Sequence, residues 1–274
     1  MPEAPDLYVI RNFLEPRIVG RTITTAAERK PLVLRNMTGA KFTEDIAGRT
    51  FTGIGRKGKL LIFELGGERL MIVSPMLTGG LRYCAPTDRM EATAVLTFDL
   101  DDGKQLRYFD QKRMGQVYYL PPSRKEEIVR LEDQGADVLS EPMDFEQFMA
   151  VMKPFRGEIK GILTRGEAVA GIGNAYADEV LFRAGLFPFR KKSKLSPDEM
   201  RRLHEAVYGV PRDAVKVLEE RVGENIHKKV RDFLQVHGKG GEPCPVCGSR
   251  ISAITAHRRV TNFCRKCQPG TMFD

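Results

Sequence analysis

Four of the five cysteines fall in the last 31 residues, as Cys244-x2-Cys247 and Cys264-x2-Cys267 with sixteen residues between the pairs. Two short Cys-x2-Cys turns bring their sulfurs together, and a pair of such turns completes a tetrahedron of thiolates around one Zn2+. Gly248 eases the first turn. A redox dithiol or an iron–sulfur site fits this spacing less well. Since the protein fills all four positions, no place is left for water, and the metal is expected to be structural. Cys84 stands apart and is expected to be a small buried side chain.

Between the pairs, Ala256-His257-Arg258-Arg259-Val260-Thr261 reads as a hairpin carrying two arginines. His257 is off the ligand spacing and is expected to be a surface or phosphate-contacting group. Upstream, Gly171-Ile172-Gly173-Asn174 places two glycines before a helical pattern. Backbone N–H groups at such a helix start suit a phosphate, although a simple turn with Asn174 as N-cap explains the same residues.

The net charge is +8, and residues 151–274 hold 23 Lys/Arg against 14 Asp/Glu while residues 1–150 hold 21 against 22. The positive excess therefore sits in the second half. It suits a polyanion, because each neutralised phosphate releases condensed counterions; a passive basic surface fits equally. No apolar run approaches the length of a membrane helix. The start, Met1-Pro2-Glu3-Ala4-Pro5-Asp6, has neither a basic nor an apolar leader region. A cytosolic protein is expected.

The elements that must position these groups follow from periodicity. Leu7, Ile10, Phe13 and Leu14 predict a helix over residues 5–14, with Pro16 beyond its end. Arg49–Ile54, Leu60–Leu65, Leu70–Val73, Ala94–Leu100 and Gln105–Phe109 are candidate strands, and Asp101-Asp102-Gly103 is a hairpin turn signal. Pro121-Pro122 marks a boundary. Helices are then expected at Arg124–Glu132, Asp144–Met152, Asn174–Ala184, Pro197–Val207 and Arg212–Glu220, the fourth capped by Ser196 with Glu199. Gly238-Lys239-Gly240-Gly241 is a second hinge. The fold class is α+β and multidomain: an N-terminal helix plus an all-β sandwich or barrel over 1–122, a helical domain over 123–240, and a β-hairpin zinc finger over 241–274.

Several of these motifs resemble one family of base-excision repair enzymes, the formamidopyrimidine-DNA glycosylase/endonuclease VIII family. The start Met1-Pro2-Glu3-Ala4-Pro5 is similar to its N-terminal motif. Arg56-Lys57-Gly58-Lys59-Leu60-Leu61 resembles its lysine-bearing strand pair. The segment from Gly171 through Asn174 and Tyr176 to Leu181 resembles its helix–two-turn–helix signature, and Arg259-Val260-Thr261-Asn262-Phe263-Cys264 its zinc-finger arginine. The motifs run in order from Pro2 to Gln268, and the resemblance implies an N-terminal helix plus β-sandwich, a helix–two-turn–helix domain and a C-terminal β-hairpin zinc finger.

The resemblance implies a bifunctional DNA glycosylase and AP lyase, a monomer acting on damaged double-stranded DNA at the bacterial nucleoid. Removal of Met1 would expose the secondary amine of Pro2. An α-amino group titrates at about 8, so a usable fraction is unprotonated near neutrality. It would attack sugar C1′, expel the base and leave a covalent iminium, with strand cleavage by β- and then δ-elimination. Glu3 would transfer a proton at the opening sugar ring. Lys59, Asn174 and Arg259 would contact phosphates around an extruded nucleotide. Leu77, Arg113 and Met114 would fill the vacated space as a wedge; ordinary core packing is the alternative for Leu77 and Met114.

Departures from the family pattern are as informative. Asp6 stands for a glutamate, Ser74-Pro75-Met76-Leu77 for His-Leu-Gly-Met, and Met114 for a phenylalanine. Near Val222–Leu234, the oxidised-purine branch has a glycine- and aromatic-rich capping loop; this chain has Gly223-Glu224-Asn225-Ile226-His227-Lys228-Lys229. A cap over 8-oxoguanine is therefore not expected, and the lesion is left open between a formamidopyrimidine, an oxidised pyrimidine and another base. Two rivals remain: a catalytically impaired damaged-DNA-binding relative, and a zinc-ribbon RNA-binding protein. The latter explains the charge and the finger but not Pro2-Glu3 together with Lys59.

Overall fold

The computed structural model describes residues 1–128, 131, 133–256 and 258–271. The chain forms two compact units. One comprises Met1–Pro2, Asp6–Glu132 and Leu218–Val230; the other comprises Glu3–Pro5, Asp133–Val217 and Arg231–Asp274.

The first unit holds all but the first two residues of helix α1 (Ala4–Ile18). Leu7, Ile10, Leu14 and Ile18 recur at three- and four-residue spacing and are buried. The helix outruns the expected end and includes Pro16, because a proline in a last turn removes only one backbone bond. Nine strands follow: β1 (Ile23–Glu28), β2 (Leu34–Asn36), β3 (Phe51–Lys57), β4 (Leu60–Leu65), β5 (Arg69–Ser74), β6 (Gly79–Cys84), β7 (Ala94–Leu100), β8 (Gln105–Asp110) and β9 (Gln116–Leu120). They form a four-stranded sheet in the order β1-β7-β8-β6 and a five-stranded sheet in the order β2-β9-β5-β4-β3. The short helix α2 (Phe42–Ile46) places Phe42 edge-on to Phe98 of β7 and to Tyr119 of β9, with ring centroids 6.3 and 5.1 Å away. One aromatic thus packs on both layers of the sandwich.

The expected strands all form, with ends shifted by a few residues at β3 and β5. The Asp101-Asp102-Gly103 turn joins β7 to β8, with Gly103 at φ +73°. The helix expected from Arg124 is instead a 3-10 stretch over Pro122–Glu127. Ile128 N–H returns to Lys125 O, and the Arg124–Glu127 ion pair at i,i+3 suits that tighter winding. The rest of that expected helix includes Val129, Arg130 and Glu132, which lie outside the described residues.

The second unit is helical. It holds α3 (Phe145–Met152), α4 (Ile159–Arg165), α5 (Asn174–Ala184) and most of α6 (Pro197–Val222). A two-strand parallel bridge pairs β10 (Ala136–Asp137) with β11 (Val169–Ala170), and the finger hairpin is β12 (Ser252–Ala256) with β13 (Arg259–Phe263). Reciprocal capping bonds start α3 at Asp144 with Gln147 and α6 at Ser196 with Glu199. The two helices expected at Pro197–Val207 and Arg212–Glu220 are one helix with Pro211 inside it. Leu203, Val207, Val210 and Ala214 keep one buried stripe across the proline, and that burial offsets the single missing bond.

Candidate active site and nucleic-acid interface

Of the residues singled out from sequence, the first unit holds Pro2, Lys59, Leu77, Arg113 and Met114. Pro2 is buried. Lys59 is the second residue of a two-residue turn between β3 and β4, where Lys57 pairs with Leu60. Gly58 ahead of it takes φ +55°, the II′ geometry that matches the twist of a hairpin. Leu77 is 42% exposed and Met114 is 47% exposed, so neither is a core residue. Each follows or sits beside a strained position: Met76 has φ +50° and Arg113 has φ +51°, left-handed values rare for side chains of this size.

The segment 223–229, which departs from the family's oxidised-purine capping loop, also belongs to the first unit. Ile226 is buried, and Lys229 Nζ donates to the Leu77 carbonyl at 2.7 Å. It braces the Leu77 turn.

In the second unit the glycine loop does bind an anion at a helix start, but the anion is part of the chain. The Glu3 carboxylate accepts N–H bonds from Gly173 at 2.6 Å, Ala175 at 2.9 Å and Tyr176 at 3.2 Å. Ala4 N–H adds a bond to Gly171 O at 2.9 Å. A Cβ on Gly173 would lie 2.5 Å from Glu3 Cδ, so the glycine is required by the buried carboxylate. The phosphate first expected there is excluded from those N–H groups. Nor is Asn174 the N-cap: Gly173 holds that position, and Asn174 Nδ2 donates to Val260 O on β13 at 2.9 Å.

That bond brings the first residue of α5 to the finger hairpin. Arg258 sits in the hairpin turn with φ +61°, and Arg258 and Arg259 are both exposed; His257 lies outside the described residues. Asn174 and Arg259 line one open hollow of about 440 Å³ with Lys160, Arg165 and Thr261. Its walls carry Arg165, Arg259 and Lys160, the last paired with Asp178, against one acid, Glu158, so the lining is net positive and suits an anion.

Two buried carboxylates on α5 orient the hairpin. Asp178 pairs with Lys160 Nζ at 2.6 Å, accepts the Asn262 backbone N–H at 3.2 Å, and lies 2.7 Å from His237 Nδ1. Lys160 Nζ also donates to Thr261 Oγ1 at 2.7 Å. Burial lowers the Lys160 ammonium pKa, and the charge of Asp178 acts in the opposite direction. Glu179 accepts the backbone N–H groups of Gln235, Val236 and His237 at 2.7, 2.9 and 2.8 Å. Asn262 Oδ1 accepts from Gly238 N–H at 2.9 Å. Helix, hinge and finger hairpin are thereby tied by charge-assisted bonds, the stronger class of hydrogen bond.

The four finger cysteines converge. Their sulfurs all lie within 4.8 Å of one another, with Cys244 and Cys267 Sγ 3.8 Å apart and Cys247 and Cys264 Sγ 3.5 Å apart. Four thiolates at about 2.3 Å from a zinc stand roughly 3.8 Å apart. The donor set fits a closed tetrahedral site. Cys84, by contrast, is buried alone, and burial pushes its thiol pKa up.

Residues 1–117 match the formamidopyrimidine-DNA glycosylase N-terminal domain, residues 134–230 match the helix–two-turn–helix domain of the same proteins, and residues 241–270 match the zinc finger found in Fpg and isoleucyl-tRNA synthetase. The formamidopyrimidine-DNA glycosylase of Symbiobacterium thermophilum is 35% identical, over 98% of this chain and 90% of that protein. The chain belongs to the formamidopyrimidine-DNA glycosylase family. A relative of the same name from Heliobacterium modesticaldum is 32% identical over 98% of this chain and all of its own length. Among solved structures, Lactococcus lactis Fpg bound non-covalently to DNA containing an AP site aligns with a TM-score of 0.85 at 30% identity, covering 98% of this chain and 100% of that one. The same enzyme with DNA containing N7-benzyl-Fapy-dG aligns at 0.88 and 30% identity, with the same coverage.

As in the family architecture, an N-terminal helix and β-sandwich precede the helix–two-turn–helix region and a hairpin finger with one structural zinc. Among the described residues no helix is long and apolar enough to cross a membrane. Lys160, Asp178 and Glu179 were not singled out from sequence as site residues. Lys160 had a signal: it interrupts the apolar run Ile159, Ile162, Leu163 on one face of α4, where an unpaired lysine would be costly. The two acids of α5 fall inside the segment that resembles the helix–two-turn–helix signature, but an acid in a helix reads as solvent-facing until its partners are known.

Proposed function

We propose that this glycosylase removes oxidised or otherwise damaged bases from duplex DNA in base-excision repair, with Pro2 as nucleophile, and then cleaves the strand as an AP lyase. The observation that carries the reading is the anchoring of Glu3 by three backbone N–H groups, which fixes the residue next to the reacting amine. After loss of Met1, the Pro2 nitrogen lone pair forms a bond to C1′. The glycosidic bond breaks, and the base leaves with its electron pair and takes up a proton. The C1′–O4′ bond opens to the iminium, and Glu3 serves the proton transfer at O4′. Loss of the C2′ proton then expels the 3′ phosphate, and a second elimination expels the 5′ phosphate.

Lys59, Asn174, Arg258 and Arg259 are proposed to hold phosphates, and Leu77, Arg113 and Met114 to enter the stack where the damaged nucleotide leaves it. The exposure of Leu77 and Met114 supports this role, as does the cationic hollow shared by Asn174 and Arg259. Residues 1–122 would supply chemistry and wedge, 123–240 and 241–274 the grip on DNA. The zinc holds the finger and takes no part in bond making. The protein would act as a monomer at the bacterial nucleoid.

Borohydride trapping on duplex DNA with an abasic site tests the mechanism. A covalent adduct from the processed protein, absent in Pro2→Gly, is expected. DNA binding with no adduct would instead make this chain a damage-binding relative that does not cut.

A further inference from the structure

The two turns carrying Leu77 and Arg113–Met114 are far apart in sequence, yet they form one object. β6 and β8 are antiparallel neighbours, and Gly79, the first residue of β6, pairs with Asp110, the last of β8. The Pro75–Thr78 turn and the Gln111–Gly115 turn therefore start side by side at one sheet edge. Between them is the Asp110 carboxylate, 1% exposed. Its Oδ1 accepts from the Thr78 hydroxyl and from Lys112 N–H at 3.2 Å. Its Oδ2 accepts from Gly115 N–H at 2.6 Å. Lys112 N–H also donates to Thr78 Oγ1 at 2.9 Å. The first turn is closed by Gly79 N–H to Pro75 O at 2.9 Å, and the one buried carboxylate that closes the second turn also ties it to the first through Thr78.

The packing around this carboxylate leaves no slack. A Cβ on Gly115 would come within 1.9 Å of Tyr108 Oη and 2.9 Å of Asp110 Oδ2, and one on Gly79 within 2.4 Å of Tyr108 Oη and of Pro75 O. Burial raises the Tyr108 phenol pKa, and the charge of Asp110 adds to that shift. Among the described residues only four without a glycine side chain have positive φ, and two of them, Met76 and Arg113, lie in these two turns. Such backbone persists only where the surroundings over-determine it. Here the surroundings are the Asp110 bonds to both turns together with Gly79 N–H to Pro75 O and Lys229 Nζ to Leu77 O in the first, and the residues held out by the strain are the exposed Leu77 and Met114.

We propose that Asp110, acting through Thr78, is a positioning residue that preassembles the wedge, so that both turns enter the base stack as one rigid unit. The inference rests on the wedge reading of Leu77, Arg113 and Met114. Its physical basis is that ordering two separate turns only on contact with DNA would add a conformational cost to the cost of unstacking a base. Asp110 itself does not touch the DNA in this scheme.

The test uses a duplex with a reduced abasic site and 2-aminopurine opposite it, whose fluorescence rises when the opposite base is unstacked. At protein concentrations that saturate the duplex, the full-length protein is expected to brighten it. Asp110→Asn should cut the rise about tenfold and Thr78→Val about threefold, less than the roughly hundredfold cost of a fully misplaced group, while Thr78→Ser keeps it. Borohydride trapping on a single-stranded abasic oligonucleotide, which needs no wedge, should stay within about twofold of wild type in all three variants. Melting temperature and zinc content check the fold; if Asp110→Asn does not fold, the Thr78→Val and Thr78→Ser pair decides. An unchanged rise in Thr78→Val overturns the proposal. So does a single-strand trapping loss parallel to the fluorescence loss, since that would mark a general structural role. Brightening without any trapped adduct would sink the excision mechanism and leave the wedge proposal standing.

Discussion

Glu3 and Gly173, 170 positions apart in sequence, meet at 2.6 Å between Glu3 Oε2 and the Gly173 N–H. The start of the chain is thereby fastened to the start of α5, and the residue before Glu3 is the proposed nucleophile. In this family member the glycine loop serves to hold the N-terminal carboxylate. A frayed terminus could not keep an amine in attack geometry.

Replacing Glu3 with Gln turns one acceptor oxygen into a donor facing backbone N–H groups. We expect Glu3→Gln to lose about 2 kcal/mol of stability, in the range for a buried bond to a charged group. The trapped adduct on abasic DNA should fall with it. Gly173→Ala, which drives a methyl group into Glu3, should reproduce the adduct loss with Glu3 still present. Chemical denaturation and borohydride trapping read both variants.

The finger predictions separate metal from grip. Arg259→Ala is expected to bind damaged duplex less tightly and turn over more slowly, with zinc content unchanged. Cys264→Ser removes one of the four converging thiolates and should lose zinc and activity together. Metal analysis of the purified variants alongside a DNA titration distinguishes the two. Normal binding and cleavage by Arg259→Ala would reduce the finger to a passive clamp.

Lys160 and Asp178 form a buried pair at 2.6 Å, with the side chains 8% and 0% exposed. Lys160→Met leaves the carboxylate without its cation and should cost about 3 kcal/mol, the low end for breaking a buried pair. Adding Asp178→Asn should recover part of that loss, because the stranded charge is gone. A double-mutant cycle by thermal or urea unfolding gives the coupling. If the second substitution makes matters worse by its full single-variant cost, the two side chains are not energetically coupled.

Acid sensitivity of the first unit should centre on Asp45. Burial alone would raise its carboxyl pKa, but hydrogen bonds from Tyr119, Arg69 and Arg49 outweigh burial and bring it down from 3.8 to about 2. A group depressed in the folded state adds stability above its unfolded pKa and loses it as pH falls through the folded value. The contribution, about 2 kcal/mol, is therefore complete above about pH 4 and disappears toward pH 2. Urea midpoints measured between pH 5 and pH 2 should fall less steeply for Asp45→Asn than for wild type. Parallel pH profiles would show that other groups carry the acid transition.

Sequence alone determined the features whose meaning is local. The two Cys-x2-Cys pairs specify a zinc site by spacing, because ligand geometry is set within each turn. Short β-branched and aromatic runs bounded by turn residues marked β4 and β7, and Ser196 with Glu199 marked the start of α6. The order of Pro2-Glu3, Lys59, the Asn174 segment and Arg259 points to the family from sequence alone. The helices run through Pro16 and Pro211, where the sequence pattern predicts ends, because burial of a whole stripe outweighs one missing bond. What only the tertiary structure decided was which partner each polar group finds. The N–H groups before α5 hold Glu3 and not a phosphate, Lys160 is buried against Asp178, and Asp110 joins two turns separated by more than thirty residues. A hydrogen-bond donor in a sequence carries no record of its acceptor when the two are distant along the chain; only the packed fold brings them within 3 Å.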